Sequence, residues 1–257
     1  MLLAIFTLWR RDIVRFYRQR SRIIGALGTP IIFWLLLGSG LGSSFRMGPT
    51  SAPVGGYLEY FYPGTLALIL LFTAIFSTIS VIEDRNEGFL QGVLVAPVPR
   101  AAIVLGKILG GTTLSLMQAA LFLRLAPIAN TDISWTSLPM MGLVLTTLAF
   151  ALTGLGFTLA WVLDSTQGYH AIMNLLLIPM WLLSGAVFPL AGASTWIQVI
   201  MLFNPMTYGV TAIRSILVED NNSVLSMADH NSLIFIVAFA FLTFIASMIS
   251  VNYHRRT

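Results

Sequence analysis

Glu83, Asp84, Arg85 and Glu87 crowd together in the stretch VIEDRNEGFLQGVLVAPVPRAAI, residues 81–103, between two long apolar runs. Such a cluster either decorates a solvated connection or meets complementary charges on a partner's surface. From Ile82 to Leu94 the apolar residues Phe89, Leu90, Val93 and Leu94 recur at helical spacing, and Glu83 and Glu87 stand one turn apart. A short amphipathic helix is expected there, with its acidic residues at the positive end of the helix dipole. Gly88 and Gly92 each lower helicity by about 1 kcal/mol relative to alanine, so packing must hold the shape. Pro97 and Pro99 then force an extended exit.

Other chemistries lack their residues. A P-loop needs G-x-x-x-x-G-K-[S/T] so that backbone amides, a lysine and a hydroxyl can cradle phosphate. The one lysine, in Gly106-Lys107-Ile108, has neither the second glycine nor the hydroxyl. Cysteine is absent, which removes disulfides, thiolate metal sites and a cysteine nucleophile. An intramembrane hydrolase would need a nucleophile paired with a base, but His170 has no evident partner and is expected to be a packed or interfacial histidine. Ion-coupled transport needs ionisable groups deep in the membrane, whereas Lys107, Arg124 and His170 fall toward the ends of apolar runs. No catalytic residue and no metal site are expected on this chain.

The elements that must position the charged stretch are membrane helices. The 257 residues are 57% hydrophobic and 9% charged, against about 45–50% and 25% in soluble domains. Six runs are long enough to cross about 30 Å of hydrocarbon, near 23–42, 60–82, 101–125, 138–162, 169–189 and 231–250. The remaining apolar stretch, 190–218, is broken by Asn204-Pro205 and carries Arg214, so two short helices at one membrane face are expected rather than a span. Of the 14 basic residues, all but Arg46, Arg124 and Arg214 fall on the side that holds both termini and the charged stretch. The positive-inside rule makes that side the cytoplasm. Gly110, Gly111, Gly154 and Gly156 would let helices approach closely.

The segment MLLAIFTLWRRDIVRFYRQRSR places its apolar residues before its arginines, the reverse of a signal peptide, and is expected to be retained. Phe6, Trp9, Ile13 and Phe16 or Tyr17 recur at helical spacing beside a stripe of Arg11, Arg15, Arg18 and Arg22. A helix over 1–22 lying in the membrane interface is expected, either as a basic anchor or as a contact for a partner protein.

With these elements in place, IEDRNEGFLQGVLVAPVPR resembles the cytoplasmic loop of membrane subunits of ABC-type exporters of the second permease class, the group of daunorubicin-resistance and nodulation-oligosaccharide permeases. Residues 175–217, LLLIPMWLLSGAVFPLAGASTWIQVIMLFNPMTYGVTAIRSIL, are similar to the same family's pattern through the fifth span and the hairpin after it. The resemblance implies an all-α integral membrane protein forming a single permease domain over 1–257. Its features would be six spans, the N-terminal interface helix, a coupling helix within 83–100 and an outer hairpin over 190–218. It implies that Glu83, Asp84, Arg85, Glu87 and Gly88 couple to a separate cytoplasmic ATPase that carries ATP and magnesium. It gives Pro179, Ser184, Gly185, Pro189, Asn204, Pro205 and Arg214 a structural role in a kinked fifth span and the hairpin. Arg214 is expected to be satisfied by helix-end carbonyls or lipid phosphates rather than by substrate. A second permease copy and membrane lipid are implied as partners, and no nucleic acid. The alternative reading is a non-transporting structural or assembly subunit. Nothing in the sequence singles out a substrate.

Overall fold

The computed structural model describes residues 1–41, 56–131, 133–218 and 227–253. The expected outer segment around Arg46, the stretch 219–226 and the basic pair Arg255 and Arg256 lie outside the described residues. Those that are described form helices α1 (Leu2–Arg18), α2 (Arg20–Leu41), α3 (Gly56–Asn86), α4 (Phe89–Val95), α5 (Arg100–Leu123), α6 (Leu138–Val162), α7 (Thr166–Trp181), α8 (Thr195–Phe203), α9 (Pro205–Val218) and α10 (Met227–Tyr253). Among the described residues, six helical stretches are long and apolar enough to cross a membrane, contributed by α2, α3, α5, α6, α7 with the turn after it, and α10.

The centre of the bundle is α3, apolar on every side and buried from Tyr60 through Leu71, as a helix without a polar face must be. Helices α2, α5 and α6 pack around it, α10 packs on α6, and α9 fits among α3, α6 and α10. Small side chains permit the tightest contacts. A Cβ built on Gly111 of α5 would stand 2.5 Å from both Ser77 of α3 and Thr153 of α6, so the three helices meet at that glycine. Buried hydroxyls such as Thr73, Thr112 and Thr153 donate to the carbonyl one turn back, which satisfies them without water.

The stretch expected as outer helices is α8 and α9, a pair broken at Asn204. The fifth span is interrupted too. After Pro179, residues Leu182–Ala186 widen into a π-type turn in which Leu183 and Gly185 leave helical geometry, Gly185 at φ +79°. The chain then makes a 3-10 turn at Leu190–Gly192, entered through Pro189.

One local expectation is corrected. The charged residues do not open a coupling helix. Glu83, Asp84 and Arg85 form the last turn of α3, and Gly88, at φ +78°, separates that helix from α4. The periodicity of Phe89, Leu90, Val93 and Leu94 belongs to α4 alone. A left-handed glycine is a common helix terminator, and the helical spacing of Glu83 and Glu87 runs up to it. Beyond α4, Ala96 and Pro99 are extended, as the two prolines require.

Candidate functional site: a charge cluster beneath the short helix α4

Because Glu83 and Asp84 lie at the C-terminal end of α3, the helix dipole repels them. Four cations offset this: Arg11 and Arg15 from α1, Arg22 from α2 and Lys107 from α5. The side that α1 buries against α5 carries Leu8, Asp12 and Phe16, which turns Arg11 and Arg15 toward the end of α3. Asp84, with a relative exposure of 0%, accepts two bonds from Arg11 at 2.7 and 2.6 Å and one from Arg15 at 2.5 Å. From the opposite side Lys107 of α5 donates to Asp84 at 2.5 Å, to Asp12 at 2.8 Å and to the Ser80 hydroxyl at 3.2 Å. Glu83 pairs with Arg22 and with Arg15 at 3.1 Å. Glu87, 57% exposed, pairs with Arg15 at 2.8 Å.

Four carboxylates therefore face four cations. Asp84, Asp12 and Lys107 are nearly sealed from solvent, where charges survive only when paired and hydrogen-bonded. The bond to Asp84 raises the pKa of Arg11. Burial pushes the Asp12 carboxyl above its ordinary range, and Lys107 opposes that shift. Arg11 also lies 3.6 Å from the centroid of the Phe89 ring, a cation–π contact that joins α4 to the cluster.

The other coupling candidates separate from this group. Arg85 points to α6, where it pairs with Asp164 at 2.9 Å and donates to the carbonyls of Ala160 and Trp161 at 2.8 and 2.7 Å. That placement suits the negative end of α6. Gly88 sits between the cluster and an apolar groove of about 460 Å³ that Leu3, Thr7 and Leu8 of α1 share with Phe89, Gly92 and Val93 of α4.

At the far end of the bundle, the second candidate set surrounds the break in the fifth span. The amide of Asn204 donates to the carbonyls of Met180 and Leu183 at 2.5 and 2.9 Å, and the Ser184 hydroxyl to that of Trp181. Arg214 donates to the Gly185 carbonyl at 2.9 Å and stacks 4.3 Å from the Tyr60 ring. Tyr60 and Tyr57 of α3 donate to the carbonyls of Gly185 and Val187. Carbonyls freed by the break thus find donors inside the protein, as a membrane requires. Pro179 precedes the break, while Pro189 and Pro205 begin the elements after it.

Sequence reasoning missed Asp12, Lys107, Tyr57 and Tyr60. Asp12 lies four residues from both Leu8 and Phe16, so its place on the buried stripe of α1 was readable. A solitary lysine inside an apolar helix also calls for a buried counter-charge. His170 is half-buried beside the rings of Phe76 and Tyr169.

Comparison with known proteins adds a family. The model of the ABC-2 type transporter family matches residues 3–218. A transport permease designated ycf38 in Cyanophora paradoxa is 28% identical over 214 residues, covering 82% of this chain and 72% of its own. Nodulation protein J of Rhizobium leguminosarum bv. trifolii is 29% identical over 216 residues, 81% of this chain and 79% of that one. The Escherichia coli K12 protein YbhR, described as a multidrug ABC transporter permease, is 24% identical over 165 residues, 64% of this chain and 45% of that protein.

Proposed function

The chain belongs to the ABC-2 type transporter family, and from that premise we propose that it is the membrane subunit of an ATP-driven exporter. In this reading a separate ATPase binds and hydrolyses ATP with magnesium and docks on α4. The supporting observation is the state of α4 itself. The charges next to it are neutralised within the chain, while its apolar residues Leu94 and Val95 are exposed, Val95 by 88%. An exposed apolar helix end beside a closed ion cluster suits a protein groove.

The cargo we propose is an amphipathic or lipid-linked molecule such as a drug, glycan or glycolipid, moved outward. Two copies of this chain, or one copy and a close relative, would form the pathway between them. The membrane would be a bacterial or archaeal cytoplasmic membrane with both termini inside, following the bias of arginine and lysine. The test is purification of the tagged chain from its native membrane. A P-loop ATPase should accompany it and hydrolyse ATP, and Val95→Glu should lose that subunit while remaining inserted. Full recovery of the wild-type chain with no ATPase would overturn the proposal in favour of a structural or assembly subunit.

A further inference from the structure

Lys107 lies two turns inside α5, where transport of an amphipathic molecule has no evident need of a cation. Desolvating three charges is costly, and an apolar replacement of similar volume is often at least as stable as a buried ion pair. Stability alone therefore does not account for the triad of Lys107, Asp12 and Asp84. Its connections suggest another role. From α5, Lys107 holds Asp12 of α1 and both Asp84 and Ser80 of α3. Arg11 passes the connection from Asp84 to the Phe89 ring of α4. Beside the triad α1 lies close against α5. A Cβ built on Gly106 would come within 2.9 Å of the Leu8 Cβ, and one on Gly110 within 3.3 Å of the Asp12 Cβ. Packed contacts and directional bonds together define one geometry among four helices.

We infer that Lys107 is a positioning residue for coupling, fastening α1 to α3 and α5 so that a displacement of α4 reaches all three as one unit. This rests on the reading that an ATPase docks on α4. It goes beyond that reading by making α1 part of the moving body rather than a membrane anchor. Arg10 and Arg18, exposed on α1, would travel with it.

The test uses the permease with its co-purified ATPase in nanodiscs. Spin labels are placed at Pro97→Cys, at the exit of α4 and clear of the docking residues Leu94 and Val95, or at Val14→Cys, each paired with Leu175→Cys on α7; all three positions are exposed and the chain has no native cysteine. With the wild-type cluster, ATP should change both distances. In Lys107→Met combined with Asp12→Asn, which removes one charge of each sign and leaves Asp84 on Arg11 and Arg15, ATP hydrolysis and the Pro97 change should persist. The Val14 distance should stay at its nucleotide-free value. Lys107→Arg should restore it. If the double variant does not fold, Gly106→Val separates α1 from α5 without altering a charge and should give the same split. Movement of Val14 at wild-type amplitude in a folded, ATPase-bound variant would reduce the cluster to a folding clamp and overturn the inference. Immobility of Val14 in the wild type would also overturn it. Absence of any ATPase from the wild-type preparation would remove the docking reading and this inference together.

Discussion

At the scale of single residues, burial divides carboxylates that look alike in sequence. Asp84 is sealed among Arg11, Arg15 and Lys107, whereas Glu87 is 57% exposed and pairs with Arg15. Breaking a buried, hydrogen-bonded pair costs about 3–5 kcal/mol because the remaining charges are stranded, while an exposed pair contributes about 0–1 kcal/mol. Asp84→Asn should therefore lower thermal stability in detergent sharply, and Glu87→Ala should leave it nearly unchanged. Equal effects would show that the cluster is solvated. The residue types in this stretch were plain in the sequence, but their partners were not. Asp12 and Lys107 stand 72 and 23 positions from Asp84, and only the packing of α1 on α5 brings all three together.

At the scale of elements, the break in the fifth span is held by donors from α3, from α9 and from Asn204 between α8 and α9. Replacing Asn204 with leucine would leave the Met180 carbonyl without its side-chain donor and the Leu183 carbonyl with only the longer bond from Thr207 at 3.3 Å, at about 1–3 kcal/mol for a buried group left unpaired. Amide exchange over residues 182–188 should rise in Asn204→Leu, and unchanged protection there would contradict the clamp. Gly185→Ala should be milder. Its new Cβ would meet only Met201, at 3.7 Å, so the cost is the left-handed backbone, about 1–2 kcal/mol. Most helix positions were legible because long apolar runs leave little choice in a membrane. The end of α3 was not. Helical periodicity continues from Ile82 to Leu94, and nothing short of the backbone conformation at Gly88 shows that two helices share it. The basic stripe on α1 was legible too, but its direction was not, since arginines at that spacing serve lipid phosphates and buried carboxylates equally well.

At the scale of the whole molecule, the proposed orientation and assembly rest on the distribution of charge and on the number of spans. Trp135, 87% exposed between α5 and α6, and Val95, 88% exposed beyond α3, lie at opposite ends of the bundle. An impermeant thiol reagent should label Trp135→Cys in intact cells and Val95→Cys only after lysis. The reverse pattern would invert the proposed topology. Native mass spectrometry of the active complex should find two permease chains, and an active complex with one would exclude the shared pathway. The central claim, that α4 receives an ATPase, is tested most directly by a photo-crosslinking residue at position 95 in native membranes. The account predicts capture of a P-loop ATPase from position 95 and none from position 135. An actively transporting complex in which position 95 captures no ATPase, or in which position 135 does, would contradict it.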